Sequence, residues 1–349
     1  MENDDLIILK DVRKLADEFS QEFRNKGILV TGGAGFLGSW LCDVFVESGA
    51  DVDCLDNFST STGKNIEHLK NALTLINSNI EDVNLEDKDY DYIFHFSSRA
   101  SPDEYIHHPI ETMTANSTGT MKMLDLAHRR NSRLVSASTS EIYGDAKAVP
   151  TPETYYGNTN SIGIRSCYDE GKRYAESLCM AYMRQKKVDV RLARIFNSYG
   201  PRIRADGLYG RALPRFIRQA LKGEPITIYG DGNQTRSFCY VTDTIRGILK
   251  LSLIKNQSGL VVNIGNPNEM TILELAQKII EKTGSESRLS FGPIMQDDPL
   301  RRCADIRKAR EVLGWAPLVN FDDGISRTID WFRSQLAGNG IPNFSQVKA

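Results

Sequence analysis

The chain has 349 residues, of which 40% are hydrophobic and 25% charged, and its formal net charge is −2. These values predict a soluble globular protein with one large domain or two moderate ones. A charge so close to neutral gives no general attraction to nucleic acid or membranes, so neither is expected as a partner. Six cysteines without CxxC spacing and five histidines without a ligand pattern predict reduced thiols, a cytoplasmic location and no metal site.

The N-terminal segment predicts a helix ahead of the main fold. Its acidic start and short apolar run are unlike a signal peptide or a membrane span. We assign residues 1–26 to a helical extension that packs on its own domain or on a subunit partner. The apolar residues that recur at helical spacing are Leu6, Leu9, Val12, Leu15, Phe19 and Phe23.

From residue 27 onward, strands alternate with helices. Strands alternating with helices of ten or more residues predict an α/β fold with a doubly wound parallel sheet. The predicted strands are 28–32, 51–56, 73–80, 90–97, 133–139, 189–197 and 260–266, and the helices between them are 35–48, about 116–130 and 168–187.

The turn after the first strand is predicted to bind a dinucleotide. Gly32, Gly35 and Gly38 form GxxGxxG between a strand and a helix. Glycines there permit a tight turn, close approach of a pyrophosphate to the backbone, and close packing of helix on strand. Asp56, at the end of the second strand, can bind the adenosine ribose hydroxyls and would repel a 2′-phosphate, which favours NAD over NADP.

The composition changes after Pro201, where Arg and Gly become frequent before a helix at 212–221, a short strand and a helix at 271–283. This pattern predicts a smaller substrate-binding domain interleaved with the first. The predicted division gives 27–200 plus about 236–266 to a Rossmann-like NAD domain and 201–235 plus about 267–336 to the substrate domain. Residues 337–349 are predicted to form a flexible tail.

Tyr168 and Lys172, in "YDEGK", stand at i and i+4 and so share one face of a predicted helix. An ammonium group near a tyrosine is expected to lower the tyrosine pKa and can also hold a nicotinamide ribose. The phenolate could then take a proton from a sugar hydroxyl as hydride leaves. Thr139, at the end of the preceding strand, would orient the same hydroxyl.

The glycine turn, the strand-end Thr139, YxxxK and "RIFNSYGPR" together resemble the extended short-chain dehydrogenase/reductases, the NAD-dependent epimerase/dehydratase family that acts on nucleotide sugars. The segments 229–243 and 297–315 resemble its C-terminal motifs. This resemblance implies oxidation of a sugar hydroxyl by NAD, a UDP-sugar substrate and a homodimer.

The resemblance also implies two sets of ligand contacts. Arginines suit a diphosphate, which they bind bidentately. Asn79 stands where the family usually has Asp, and Arg99 where it usually has Pro, so an additional cation on the sugar loop could alter which hexuronate is accepted. The NAD contacts, besides the glycine turn, Asp56, Tyr168 and Lys172, would be Phe36, Leu37, Asn57, Asn79, Ile80, Ser97 and Asn116. The nucleotide-sugar contacts would be Arg99, Tyr105, Glu141, Arg165, Asn197, Arg211, Arg236 and Arg302.

The strand end "TSE" narrows the reaction that the resemblance implies. A simple 4-epimerase needs no further acid or base, whereas a 4,6-dehydratase carries an Asp–Glu pair after the threonine. Ser140 therefore argues against dehydration, and Glu141 argues against bare epimerisation. A decarboxylase fits, because oxidation at carbon 4 of a glucuronate creates a β-keto acid that loses carbon dioxide readily. The predicted catalytic residues are Thr139, Ser140, Glu141, Tyr168 and Lys172.

The block from "STSEIYGD" to "CYDEGKR" is similar to the UDP-glucuronate decarboxylases of that family. This implies conversion of UDP-glucuronate to UDP-xylose, with Arg165 near the substrate carboxylate and a proton supplied to carbon 5 by water, Ser140 or Glu141. The alternatives are a UDP-hexuronate 4-epimerase, a decarboxylase that stops at the 4-keto pentose, and a regulator that holds NAD without turnover.

Overall fold

A parallel sheet lies at the centre of the computed structural model, which describes residues 3–85, 87–205, 211–294 and 298–338. Within these residues it has seven strands in the order β11-β6-β5-β4-β1-β2-β3. Every neighbouring pair is parallel. These strands are β1 (Gly27–Thr31), β2 (Asp51–Asp56), β3 (Thr74–Asn77), β4 (Tyr92–His95), β5 (Arg133–Thr139), β6 (Asp189–Ile195) and β11 (Leu260–Ile264).

Helices cover both faces of this sheet, which confirms the predicted doubly wound α/β fold. Ile28 and Val30 pack in one apolar core together with Trp40, whereas Leu29 packs in a second core together with Leu124. Such alternation follows from the two-residue period of a strand. The helices are α1 (Asn3–Phe23), α2 (Phe36–Glu47), α3 (Pro102–His107), α4 (Pro109–Thr114), α5 (Thr120–Arg130), α6 (Ser166–Lys186), α7 (Ala212–Leu221), α8 (Val241–Leu253), α9 (Ile272–Thr283), α10 (Arg307–Leu313) and α11 (Phe321–Gly338).

Smaller sheets lie outside the large one and carry part of the predicted substrate site. Arg236 lies on β9 and Arg302 on β14, and β14 pairs with β9 in parallel. Of the predicted tail, residues 339–349 lie outside the described part of the chain. The strands concerned are β7 (Ser198–Tyr199), β8 (Ile226–Tyr229), β9 (Thr235–Ser237), β10 (Cys239–Tyr240), β12 (Glu269–Thr271), β13 (Leu289–Gly292) and β14 (Arg301–Arg302).

The helix predicted from about residue 116 has a different start. Helical structure begins at Pro109, in the first position of α4, and passes through a π-helical turn at Ala115–Gly119 into α5. Proline suits the first position of a helix because no intrahelical partner awaits its nitrogen. The threonines, serine and asparagine of this segment are weak helix formers, which is why the composition concealed it. Among the described residues, no helix combines the length and apolar character needed to cross a bilayer.

The N-terminal helix α1 is part of the core. Phe23 is fully buried, and its ring lies 4.9 Å from that of Phe45 and 5.5 Å from that of Tyr92. On the polar side, Glu18 pairs with Arg246 of α8 at 2.9 Å. The extension therefore packs on its own chain.

Replacing Phe23 with alanine should lower the free energy of unfolding by about 3–5 kcal/mol, because a large cavity would remain between α1 and the sheet. Denaturant titration measures this. Tyr156, which is 91% exposed, provides the control. A Tyr156→Ala variant should unfold like the wild type, and equal effects at both positions would contradict the assignment of α1 to the core.

Candidate active site

A cleft of about 590 Å³ opens where the carboxyl ends of β1, β2, β4 and β5 meet. This is the edge of a parallel sheet where ligands bind in such folds. Asn116 is the predicted site residue that does not line the cleft. The residues that do are Gly32, Gly35, Phe36, Leu37, Gly38, Asp56, Asn57, Asn79, Ile80, Ser97, Arg99, Tyr105, Thr139, Ser140, Glu141, Arg165, Tyr168, Lys172, Asn197, Arg211, Arg236 and Arg302.

The glycine turn has the geometry of a phosphate cradle. Gly32 has φ +68°, and a Cβ atom there would lie 2.8 Å from the carbonyl of Phe96. A Cβ atom on Gly38 would lie 2.1 Å from the oxygen of Gly32 and would push α2 away from β1. Gly35 is the N-cap residue of α2. Because glycine has no side chain, this cap accepts no hydrogen bond from the first amides of the helix through a side chain. Those amides therefore suit a pyrophosphate.

The side chains beyond β2 are held in place by their own hydrogen bonds. The Asp56 carboxylate accepts the backbone amides of Ala34 at 3.0 Å and Phe58 at 2.8 Å, and burial raises its pKa. Asn57 donates to Asn79 at 2.9 Å, and Asn79 donates to Asp82 at 2.9 Å. Each carboxylate oxygen can accept a second bond, so Asp56 retains acceptor capacity for a ribose hydroxyl.

Tyr168 and Lys172 reach the cleft from one face of α6. The Lys172 ammonium donates to the carbonyl of Ala137 at 2.9 Å, and burial lowers its pKa to about 8. The pKa of Tyr168 is raised to about 12 by burial and by the Glu141 carboxylate, against the opposing effects of Arg211 and Thr139. The expected lowering of the tyrosine pKa is therefore wrong, because burial disfavours the phenolate.

Glu141 is the centre of an arginine cluster. Arg302 donates to both of its carboxylate oxygens, at 2.5 and 2.7 Å, and Arg165 donates to one of them. Arg302, Arg165 and Arg236 outweigh the effect of burial and lower the pKa of Glu141 to about 2. Glu141 is accordingly a carboxylate at neutral pH. Arg165 and Arg302, predicted as substrate contacts, are bound to it here.

Two aspartates near this cluster were missed by sequence reasoning. Asp298 accepts from Arg236 at 2.8 Å and lies 3.9 Å from Arg165. Asp169 lies 3.9 Å from Arg165, and its Oδ1 atom is buried without a hydrogen-bond partner among the described residues. The signals were present, since Asp298 lies in the "DDPLRR" motif and Asp169 stands four residues after Arg165.

The remaining predicted contacts are engaged within the protein. Arg99 pairs with Glu104 at 3.1 Å, so the additional cation expected on the sugar loop has a partner. Arg211, which is exposed, donates to the carbonyl of Ala100 at 3.3 Å. Asn197 donates to the carbonyl of Ser237 at 3.1 Å.

Asn116, predicted as an NAD contact, is fully buried and lies behind the wall of the cleft. It donates to the hydroxyl of Ser98 at 3.0 Å and to the carbonyl of Thr112 at 2.8 Å. Since Ser98 itself lines the cleft, the position of Asn116 suits support of this wall.

Tyr105 contributes an aromatic surface beside the tyrosine of α6. Its ring stacks on that of Tyr168, with centroids 5.1 Å apart and planes 5° from parallel. The guanidinium of Arg165 lies 5.9 Å from the centre of the Tyr105 ring. These contacts restrict the rotation of Tyr168 and connect it to the arginine cluster.

Comparison with known proteins gives a consistent result. The profile of the NAD dependent epimerase/dehydratase family matches residues 28–265. UDP-glucuronic acid decarboxylase 1 of Danio rerio is 47% identical over 322 residues, which are 91% of this chain and 75% of that protein. The solved structure of an epimerase from Methanothermobacter thermautotrophicus has a TM-score of 0.85 at 29% identity, covering 93% of this chain and 96% of its own. UDP-glucuronic acid 4-epimerase from Bacillus cereus, solved with UDP-glucuronic acid and NAD, has a TM-score of 0.80 at 29% identity. The match covers 88% of this chain and 99% of the chain of that structure.

Asp169 should make stability depend on pH. Burial and the Glu141 charge raise its pKa from 3.8 to about 7, so between these values the folded state holds a proton that the unfolded chain has lost. Stability contributed by this group therefore falls as pH rises through that window. We expect Asp169→Asn to gain stability relative to the wild type from pH 5 to about pH 7 and to level off above.

Thermal unfolding at several pH values measures the difference. Asp330→Asn, at a half-exposed position on α11, is the matched control and should show no such trend. A constant difference between Asp169→Asn and the wild type would contradict the buried, protonated state.

Proposed function

Because the chain belongs to the NAD-dependent epimerase/dehydratase family, we propose that it converts UDP-glucuronate to UDP-xylose and carbon dioxide. The observation that carries this proposal is Glu141, held by Arg165 and Arg302 in the same cleft as Tyr168 and Lys172. The similarity to UDP-glucuronic acid decarboxylase 1 of Danio rerio supports the same substrate.

NAD fits the residues present at the ends of β1 and β2. The glycine turn and the first amides of α2 would hold its pyrophosphate, and Asp56 with Asn57 would hold its adenosine. Lys172 and Tyr168 would hold the nicotinamide end. When bound, NAD accepts a hydride from carbon 4 of the sugar and later returns it.

Tyr168 is the base for the hydroxyl at carbon 4 in this proposal. With a pKa of about 12 it is a neutral phenol at neutral pH, so it needs a nearby positive charge to release its proton. Lys172, one helical turn away, is placed to supply that charge, and Thr139 orients the hydroxyl.

The arginine cluster would receive the anionic parts of the substrate. The cluster has three positive charges, on Arg165, Arg236 and Arg302. It has two negative charges, on Glu141 and Asp298. The excess suits a substrate with a carboxylate and a diphosphate. Since Glu141 is ionised, it must first accept a proton before it can give one to carbon 5. Its proposed roles are to align Arg165 and Arg302 and to relay the proton together with Ser140 or water.

The division into two domains belongs to this proposal. Residues 27–200 with about 236–266 would bind NAD, a division supported by the return of β11 to the large sheet. Residues 201–235 with about 267–336 would bind the nucleotide sugar.

The six cysteines, all buried and free, support the cytoplasmic location.

A homodimer through α4, α5 and α6 is also proposed. Large apolar side chains on these helices are exposed by 41–77%: Ile110 and Met113 on α4, Met121 on α5 and Tyr174 on α6. A second copy of the same face would bury them. Exposed apolar side chains grouped on neighbouring helices are typical of a protein interface.

Incubation with UDP-glucuronate and NAD, followed by NMR of the sugar and measurement of carbon dioxide, tests the reaction. UDP-xylose and carbon dioxide are the expected products. UDP-galacturonate without gas would make the protein an epimerase, and a 4-keto pentose with NAD consumed would make it an oxidative decarboxylase. Bound nucleotide without turnover would identify a regulator.

Two variants should fail at different steps of this reaction. Tyr168→Phe should lower kcat by roughly 10²- to 10⁴-fold, because no base remains for the hydroxyl at carbon 4. Glu141→Gln should keep bound NAD but release carbon dioxide more slowly, since Arg165 and Arg302 lose their anchor. Tyr156→Phe, at an exposed position, is the control for the first variant, and wild-type turnover by Glu141→Gln would exclude the role given to that residue.

The dimer can be tested at Ile110, which is 77% exposed. Ile110→Lys should convert a dimer to a monomer, because it places a charge in the apolar contact. Light scattering coupled to size exclusion measures the mass. Ile162→Lys, at an exposed position outside these helices, should leave the mass unchanged, and a monomeric wild-type protein would refute the proposed dimer.

A further inference from the structure

We propose that Arg99, Glu104 and Arg204 form an ionic clasp that keeps NAD in the cleft throughout the catalytic cycle, so that the hydride taken from a substrate returns to the same substrate. The part concerning hydride return rests on the proposed function. The part concerning NAD retention depends only on the cleft and its contacts.

Glu104 is the centre of the clasp. Its two carboxylate oxygens bind different arginines, Arg99 at 3.1 Å and Arg204 at 3.0 Å. Arg204 uses a second nitrogen to donate to the carbonyl of Thr60. The three charged side chains are 15–24% exposed, so the network is stronger than a fully exposed surface pair, yet high salt concentrations can still screen it.

The clasp spans the position where the dinucleotide would lie. Thr60 follows β2, and Arg99 and Glu104 follow β4, while β1 lies between these two strands in the sheet. A connection from the end of β2 to the end of β4 therefore crosses the end of β1, where the glycine turn begins. The three clasp residues and Thr60 line the same cleft as that turn. A dinucleotide bound along this edge would have the clasp across its route to solvent.

The Arg204 end of the clasp is fixed to the NAD-binding side. Two residues before it, Arg202 pairs with the buried Asp43 of α2 and lies over the ring of Trp40 at 5.6 Å. The indole nitrogen of Trp40 donates to the carbonyl of Pro201 at 3.2 Å. Because this segment is anchored on α2, opening the clasp requires the Glu104 pairs to separate.

Retention of NAD decides which product leaves. In the first step the C4–H bond would break, bound NAD would accept the hydride, and the phenolate form of Tyr168 would take the hydroxyl proton. The C5–C6 bond then breaks, carbon dioxide departs, the bonding electrons pass into the carbon-4 ketone as an enolate, and a proton adds at carbon 5. Return of the hydride to carbon 4 and of the proton to its oxygen completes UDP-xylose. Loss of the reduced dinucleotide before this return would leave one 4-keto pentose and one reduced NAD for each carbon dioxide.

The test compares two glutamates that each pair with arginine. Glu104→Gln keeps the size of the side chain but removes both ion pairs. Glu269→Gln is the control, because it removes a pair with Arg301 that lies outside the cleft. The exposed fractions of the two glutamate side chains are nearly equal, 20% for Glu104 and 19% for Glu269. Each protein is loaded with NAD and dialysed, and the NAD that remains is measured by chromatography. We expect Glu104→Gln to lose NAD at least ~10-fold faster than the wild type, and Glu269→Gln to match the wild type.

A second readout uses the unaltered protein. High sodium chloride should speed NAD loss from the wild type and have little effect on Glu104→Gln, since the screened pairs are already absent. This comparison remains decisive if Glu104→Gln folds poorly, because Arg204→Met can replace it as the reference. Equal NAD retention by the wild type and both clasp variants at all salt concentrations would overturn the proposal.

The product assay separates this inference from the proposed function. With UDP-glucuronate, Glu104→Gln should release more 4-keto pentose relative to UDP-xylose than the wild type does. An unchanged ratio would refute the part concerning hydride return. If the wild type releases no carbon dioxide while Glu104→Gln still loses NAD faster, the proposed reaction is wrong and the clasp stands.

Discussion

The bidentate ion pair between Arg302 and Glu141 is the contact on which the geometry of the site depends. Glu141 follows β5 of the large sheet, and Arg302 lies on β14 of a small sheet, so this pair joins the two sides of the cleft. Breaking a buried pair leaves one uncompensated charge and typically costs about 3–5 kcal/mol. Either residue alone is therefore difficult to replace, and the strand-end turn at Ser140–Tyr143 is held against the arginine side.

The same pair explains the electrostatic character of its surroundings. Three guanidinium groups hold Glu141 ionised, and the charge of Glu141 adds to the effect of burial in raising the pKa values of Asp169 and Tyr168. A single carboxylate thus affects the arginines predicted to bind substrate, the predicted base and a second acid on α6. Changes at Glu141 are expected to reach all of them, which is why its variants need readouts beyond overall rate.

The sequence predicted the elements that local pattern determines. The short β-rich runs predicted the large sheet, and the glycine spacing predicted a turn whose need for glycine is explained by φ at Gly32 and close approach at Gly38. Ion-pair partners from distant segments could not be predicted, because only the fold brings them together. Arg302 meets a glutamate 161 positions away. Arg99 was recognised as an unusual cation, yet nothing in the sequence indicated that Glu104 would neutralise it.

The two ligands of this cleft place different demands on it. A sugar nucleotide must enter and leave in every turnover, whereas a dinucleotide that is restored in every turnover has no need to leave. Glu104 and Arg204 are mostly buried where the cleft crosses the end of β1, while Arg211 is exposed on the side of α7. In the proposal, the clasp lies across the side that would hold the dinucleotide, whereas the ion pairs of the arginine cluster lie on the side that would receive the nucleotide sugar. The clasp would therefore act on the dinucleotide, and the arginine cluster would act on the nucleotide sugar, so one cleft could meet both demands with two separate sets of charges.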